Sequence, residues 1–530
     1  MSNVSLLDCT LRDGGYVNDW KFGNGVMTSI SERLTNAKID IIEVGFLDDR
    51  RQFDINRSIQ PSTSCYKSIF GDIDKKGSKF VAMIDYGTCD ISHIENANET
   101  IFDGIRLIFK IANVDGAIEY AKQLIEKGYD VFLQLVSITS YSDRDILDFV
   151  DKVNKISPYA VSIVDTYGLM HKEQVLHYFD LLDYNLNNDI KIGYHSHNNF
   201  QLGYANAIEF ILRQSKHDKI VDGTLYGMGK SAGNGPLELI AMFLNDSFGD
   251  KYDMNQILEA IDNNILNIYQ QKYWGYAFNY YVSALNDCHP NYVSYLLNKN
   301  TLSIKSINEI LATIPCESKF LYNEKLAENL YRMYQTNDIG DDFSISTLKS
   351  SLINKKILLL GPGQSIISNA DGLKQFIKDN DPTIIAVNYV SSLINSDYVF
   401  VSNSKRYNLM HRELLNYKGT IIATSNITLF QNEKSVVPIN YNNLVVTENG
   451  EVKDNSLLLL LRLLIIIKVP TVYLAGFDGF SSDIESNYSD ERLILKRSVN
   501  VAEANEYMKL IINDNMKKIK MIFLTPSLYN

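Results

Sequence analysis

The sequence predicts an α/β protein: a (β/α)8 TIM barrel, then a helical extension, then a second, Rossmann-like α/β domain. Three observations predict it. Short β-rich runs alternate with helical segments eight times between Val4 and about Leu244. Polar residues collect at the C-terminal ends of those runs. A new strand, Ile357–Leu360, leads into a fresh glycine turn well beyond the last of them. At 530 residues the chain is too long for one core, so two or three domains are expected.

The barrel strands are expected at Ser5–Cys9, Ile39–Phe46, Lys79–Asp85, Gly104–Phe109, Tyr129–Val136, Ala160–Asp165, Lys191–His195 and Ile220–Leu225. Amphipathic helices separate most of them. Val114–Lys127 sets Ala117, Ala121, Leu124 and Ile125 on one face. Eight such units at regular spacing favour closure over an open doubly wound sheet. The long connection from Leu47 to Ser78 carries Arg50, Arg51 and Arg57 and reads as a lid or binding loop.

Beyond the barrel (1–250), residues 251–345 read as helices: Asn255–Tyr269, Asn291–Leu297, Ile304–Ile314 and Glu324–Tyr334. Their density of Tyr and Leu suits a core or a homodimer interface. Residues 335–350, with Asp338, Asp341 and Asp342, mark the expected boundary. The third part (346–530) places strands at Ile357–Leu360, Thr383–Val387, Tyr398–Val401, Thr420–Thr424, Thr471–Ala475 and Met521–Leu524.

The net charge of −12 argues against a nucleic-acid-binding surface. Five scattered cysteines without CxxC spacing fit a reducing, cytoplasmic setting. No signal peptide is evident. Leu457–Val469, the most apolar run, is broken by Arg462 and Lys468, so a buried helix is expected and no membrane span.

The chemistry is expected at the strand ends, where barrel sites lie. The first strand runs into Asp8-Cys9-Thr10-Leu11-Arg12-Asp13-Gly14-Gly15. A charged pair is costly there unless partnered. Other polar residues at strand ends are Glu43, Asp85, Gln134, Asp165-Thr166 and His195 with His197. The last strand meets Gly227-Met228-Gly229-Lys230-Ser231-Ala232-Gly233-Asn234-Gly235, which lacks P-loop spacing. His195 and His197 point to one side of an extended strand. With Asp13 they form a 2-His-1-carboxylate set, and Asn234 offers a further oxygen. Mixed N/O ligation suits a divalent cation, Mn²⁺ or Mg²⁺ before Zn²⁺ or Co²⁺. An isolated HxH is more often one core and one surface histidine. Its place at a strand end beside an Arg-Asp pair reverses that reading.

LLDCTLRDGG, IEVGF, DTYG, HSHNN and GMGKSAGN, in this order over residues 3–250, resemble the pyruvate-lyase superfamily of metal-dependent barrels. These include HMG-CoA lyase, homocitrate and isopropylmalate synthases and 4-hydroxy-2-oxovalerate aldolase. The TLRDG form and the segments around Tyr273-Trp274-Gly275-Tyr276 and His289-Pro290-Asn291-Tyr292 are more similar to the aldolase branch. The resemblance implies that Asp13, His195 and His197, with Asn234, hold the metal. It implies that Arg12 stabilises an enolate oxygen, with Glu43 orienting it or serving only as an ion-pair partner. Asp85, Gln134 and Thr166 are expected to face the substrate. In the hydroxy-oxo-acid aldolases a histidine a few residues after the Arg-Asp pair is the general base; here Tyr16 stands there, and an ordinary phenol is a poor base at neutral pH.

In the third part Gly361-Pro362-Gly363-Gln364-Ser365 follows a strand, where an open α/β sheet presents backbone N–H groups to an anion. With Asn388 and Asp478 it resembles sialyltransferase-like and related nucleotide-binding domains. Gly361, Gly363, Ser365, Asn388 and Asp478 are therefore candidates to bind a nucleotide or sugar nucleotide; a Rossmann-like domain used only for assembly is the rival.

The expected activity is an aldolase or lyase joining or breaking a C–C bond next to a 2-keto acid through a pyruvate-like enolate, with an aldehyde as the other partner. Surface-carbohydrate biosynthesis is the setting a sugar-nucleotide domain would imply. A Claisen-type condensation of acyl-CoA with a 2-keto acid is the second reading, and a non-catalytic barrel beside a ligand-binding module the third.

Overall fold

The structure is a computed structural model and describes residues 3–319, 322–429, 435–448, 451–483, 485–494 and 500–530. It divides into two compact units, Met1–Pro290 and Asn291–Asn530.

The first unit is a closed parallel barrel. Its strands are β1 (Val4–Asp8), β2 (Ile41–Leu47), β4 (Lys79–Asp85), β5 (Gly104–Phe109), β6 (Asp130–Leu135), β7 (Ala160–Asp165), β8 (Lys191–Ser196) and β9 (Lys219–Gly223), with a short β3 (Ile59–Gln60) on the edge of β2. Closure is explicit: β1 pairs with β9 on one side and with β2 on the other. The expected strands are all present, shifted by a residue or two at their ends.

The interior is layered. Leu7, Ile41, Val81, Phe132, Ala160 and Ile220 pack into a small apolar plug. Side chains two residues apart share a strand face. So one step toward the carboxyl ends, Glu43, Gln134 and Asp222 point into the same interior above Ile41, Phe132 and Ile220. The surrounding helices bury their apolar faces against the outside of the strands, as Ala117, Ala121 and Leu124 of Val114–Glu126 do.

The long connection after β2 is strapped down along its length. Ser58 Oγ donates to the Leu11 carbonyl at 2.6 Å. The Tyr66 hydroxyl donates to the carbonyls of Phe46 and Ser58 at 2.8 Å. Its arginines are engaged by neighbouring carboxylates, Arg57 and Arg51 by Asp19 and Arg50 by Asp48.

The helices expected over 251–345 are shared between the two units. Met254–Ala260 and Leu266–Gln271, joined by the π-turn Ile261–Ile265, and Phe278–Leu285 stay with the barrel. Ile304–Ala312 and Glu324–Gln335 lie in the second unit. The Asp-rich stretch over 335–350 is folded: Asp341 accepts the Asn440 amide at 2.8 Å, and helix Asp342–Leu352 buries Leu348 and Leu352 in the second core.

The second unit carries a seven-stranded, all-parallel sheet. Its strands are β10 (Ile357–Leu360), β11 (Thr383–Val387), β12 (Tyr398–Val401), β13 (Thr420–Thr424), β14 (Val436–Ile439), β17 (Thr471–Ala475) and β18 (Lys520–Phe523), with a separate hairpin of β15 (Val446–Glu448) and β16 (Glu451–Lys453). The order is β14-β13-β12-β11-β10-β17-β18, so the winding reverses between β10 and β17. β14 escaped the sequence reading because Pro438 interrupts it, a residue that sheets confine to edges. The leucine run forms helix Ser456–Ile466, buried from Leu457 to Leu461 and at Leu463 and Leu464, with Arg462 donating to the Leu444 carbonyl. Among the described residues no helix is long and apolar enough to cross a membrane.

Candidate metal centre

β1 and the glycine turn after it place Arg12 and Asp13 over the barrel mouth. Gly15 is required there by close approach: a Cβ at this position would overlap the indole of Trp20. That indole is pinned in turn, its Nε1 donating to the Arg12 carbonyl at 2.7 Å. β8 supplies His195 and, one step beyond its end, His197. One oxygen of Asp13 lies 3.4 Å from His195 Nε2 and 4.0 Å from His197 Nε2. One donor atom from each of the three falls within 4.8 Å of the others.

The loop after β9 returns to this point. His197 bridges to Asn234 through backbone, and the amide of Gly235 donates to the Ser196 carbonyl. The Asn234 amide group spends its N–H on the Met228 carbonyl at 3.3 Å, while its Oδ1 is buried without a partner among the described residues. A Cβ at Gly229 would collide with the Asn234 amide and come within 3.2 Å of Asp13. An orphaned buried carbonyl oxygen next to a carboxylate and two imidazoles is a donor set that fits a divalent cation.

Charge and burial keep two of these donors, Asp13 and His197, in ligating form. Burial alone would raise the Asp13 carboxyl, but Arg12, then His197 and His195, outweigh it and hold it well below the usual carboxylate range. Burial, with His195 and Lys230 repelling, pushes His197 down to about 4 against the pull of Asp13, so its ring is neutral at pH 7. Burial also opposes the charged form of His195, but hydrogen bonds to Asp13 and Asp222 raise it.

Behind the donors lies a closed ring of charge. Arg12 Nη1 donates to Asp13 at 2.5 Å and its Nε to Glu43 Oε2 at 2.7 Å. The same Glu43 oxygen accepts from Arg106 Nη1 at 2.9 Å. Arg106 Nη2 donates to Asp222, and Asp222 accepts from His195 Nδ1 at 2.9 Å. His195 then faces Asp13 again. Arg106 is fully buried. With its amide oxygen turned toward Arg106, Gln134 accepts from Nε and Nη2 at 2.5 Å, which makes it a partner of the ring. Arg106 and Asp222 were missed because they sit inside strands, not at strand ends. Their signal was present: Arg106 is the one charge in GIRLIF and Asp222 the one acidic residue in KIVDG. A second grouping, Cys9, His195 and Asp222, shares the other face of the His195 ring. There Asp222 is committed to Arg106, and burial raises the Cys9 thiol well above its ordinary value, which disfavours the thiolate a metal needs.

The remaining candidates spread out. Tyr16 sits in the 3₁₀ turn Gly14–Val17 with its ring 4.7 Å from that of Trp20. The residue is 43% exposed overall. Its hydroxyl is nonetheless pushed up to about 12, by desolvation first and then by the charge of Asp13. Asp85 ends β4 on the exposed side of the mouth. Thr166 Oγ1 accepts the Ser137 amide at 2.8 Å. It shares a cleft of about 10 Å³, room for one water, with His197, Lys230 and His289.

In the second unit the five candidates cluster at the winding reversal, but not as an open cradle. The Gly361 amide donates to the Ala475 carbonyl and the Gly363 amide to the Gly476 carbonyl, both at 2.8 Å. The Ser365 amide and hydroxyl donate to Asp478, the amide at 2.7 Å. A Cβ at Gly363 would stand 2.6 Å from the Asp478 carboxylate. These glycines therefore let the turns after β10 and β17 touch. Asn388, at φ 53°, donates to Ser456 and accepts the Ser402 amide at 3.1 Å.

Residues 3–263 match the HMGL-like family model. A 4-hydroxy-2-oxovalerate aldolase of Marinomonas sp. (strain MWYL1) is 26% identical over 268 residues, 49% of this chain and 76% of that one. An oxaloacetate decarboxylase of Mycobacterium tuberculosis (strain ATCC 25618 / H37Rv) is 24% identical over 296 residues, 52% of this chain and 82% of that one. The N-terminal domain of a Bacteroides vulgatus protein, 24% identical, superposes with a TM-score of 0.49 over 57% of this chain and 99% of its own.

Proposed function

Since residues 3–263 form an HMGL-like domain, we propose that the chain is a divalent-metal-dependent carbon–carbon lyase of aldolase type, acting on a 2-keto acid. One observation carries this reading. The donors of Asp13, His195 and His197 converge within 4.8 Å at the carboxyl ends of the barrel strands, with the Arg12 guanidinium 2.5 Å from Asp13. Asp13, His195, His197 and the Asn234 oxygen would hold a divalent cation, and it would supply Lewis-acid polarisation of the keto group.

The protein's own groups supply the rest. Cleavage of a 4-hydroxy-2-keto acid passes the hydroxyl proton to water and breaks the C3–C4 bond. The electron pair moves into a C2–C3 enolate, and an aldehyde leaves. Negative charge develops on the C2 oxygen. Arg12 is the donor for that charge: Nε and Nη1 are fixed on Glu43 and Asp13, and Nη2 has no hydrogen-bond partner among the described residues. A guanidinium already oriented by two carboxylates needs no reorganisation as charge appears. Tyr16 keeps its proton at neutral pH and so serves as a donor, returning a proton to C3 of the enolate.

The test is exchange of the methyl protons of pyruvate in D₂O, read by mass spectrometry. Exchange that needs Mn²⁺ or Mg²⁺, stops with EDTA and is lost in Arg12→Ala is the expected result. A protein that binds the cation yet exchanges nothing overturns the pyruvate-like enolate.

A further inference from the structure

We infer that the second unit binds a nucleotide, with its phosphate held by Arg406 and not by the Gly361-Pro362-Gly363 turn. A cavity of about 610 Å³ opens within this unit at the carboxyl ends of β10, β11, β12 and β17. Its wall includes Gly363 after β10, Asn388 after β11, Arg406 after β12, and Phe477 and Asp478 after β17. Ligands of doubly wound sheets sit outside the carboxyl ends of the strands where the winding reverses, here between β10 and β17. The volume lies in the range of small-molecule and cofactor sites.

The chemistry of the wall selects the ligand. Arg406 is only 6% exposed, yet it borders the cavity, and its guanidinium lies 5.0 Å from the ring centre of Tyr488. A desolvated, stacked guanidinium is the side chain best matched to a phosphate, because its planar fork can donate two parallel bonds. Five further charged side chains border the cavity. Lys299 pairs with Glu328 at 2.6 Å, and Lys453 pairs with Glu451 at 2.5 Å. Asp478 caps Ser365, and Asp454 accepts from the hydroxyls of Tyr331 and Tyr441. The turn amides that would cradle an anion are spent on the turn after β17. Tyr488, Tyr507 and Phe477 add aromatic faces for a flat ring. An anion site beside aromatic walls, in a cavity several times larger than a phosphate, describes a nucleotide better than free phosphate.

The experiment is calorimetric titration of the full chain with UDP, CDP, ADP and GDP and with pyrophosphate, in EDTA so that the barrel donors hold no metal. Expected are binding of at least one nucleotide, competition by pyrophosphate, and weakening by about tenfold or more in both Arg406→Gln and Tyr488→Leu. Hydrogen exchange on the wild-type chain with bound nucleotide covers the case of a variant that does not fold: protection is expected at 403–407 and 477–480. No binding of any of the four at millimolar concentration overturns the inference. So does protection confined to other segments, or wild-type affinity in both variants. Pyruvate exchange by the barrel is read separately and decides nothing here.

Discussion

Replacing Asp222 by Asn probes the ring behind the proposed metal donors. Asp222 makes two charge-assisted bonds from the barrel interior, to Arg106 and to His195 Nδ1 at 2.9 Å. Both donors meet the same Asp222 oxygen, so Asn with its amide oxygen there keeps the two contacts and loses the negative charge behind them. Removing one partner of a buried pair costs roughly 3–5 kcal/mol when the other charge is left alone. Arg106 keeps Glu43 and Gln134, which places the loss lower, at about 2–3 kcal/mol, the scale of a bond to a charged group. A second effect falls on the metal. The Asp222 bond fixes the proton on Nδ1 and aims Nε2 toward Asp13. Losing such an orienting carboxylate typically weakens metal binding about 10- to 100-fold. Urea unfolding followed by circular dichroism reads the first effect, and Mn²⁺ titration of the folded variant reads the second. Wild-type Mn²⁺ affinity in a folded variant would refute the claim that Asp222 orients His195. An unchanged unfolding midpoint would refute the weight assigned to the ring.

Asp8 tests burial through pH: desolvation raises its carboxyl to about 7, against the lowering by Thr10. A raised carboxyl contributes stability that is complete below about pH 4 and lost as pH climbs through about 7. From pH 5 to 8 the wild type should therefore lose about 2–3 kcal/mol relative to Asp8→Asn, measured as the difference in unfolding free energy. Gly15→Ala should cost about 1–3 kcal/mol and slow pyruvate exchange, because its methyl group displaces the indole that anchors the Arg12 carbonyl; thermal melts and the exchange assay read both. Leu460→Ala, in the middle of the buried helix Ser456–Ile466, should destabilise the second unit by about 2–5 kcal/mol. Exchange by the barrel should persist at urea concentrations where the second unit has already melted.

The barrel was legible because periodicity and punctuation agree: the expected strands are short, mostly apolar and end in polar residues, and closure puts those ends on one rim. Asp13, His195 and His197 could be read together for the same reason, each lying at or just past a strand end. Gln134 was legible as a polar residue at a strand end, expected to face the substrate, but not as a partner of Arg106, which sits in mid-strand and looks like any residue of a strand until the barrel closes around it. The glycines of the second unit carried an ambiguous signal. A glycine is needed both where a ligand approaches backbone and where two turns touch, and the hydrogen bonds of Gly361 and Gly363 show the second. Helix Asp342–Leu352 was hidden by composition: aspartates suggested a linker, but Asp341 is spent on the Asn440 amide and the apolar face behind it is only Leu348 and Leu352.

The ring through Asp13, Arg12, Glu43, Arg106, Asp222 and His195 also limits how this barrel can diverge. Three carboxylates stand against two guanidiniums, and each member touches two others. A single exchange of sign or length therefore strands a charge in the interior, and exchanging Glu43 with Arg106 sets like charges against Arg12 and Asp222. Changes in contact couple rather than add. New specificity is thus more accessible at the rim, where the exposed Asp85 can vary alone, than in the layer beneath it, which can only be rewritten in blocks.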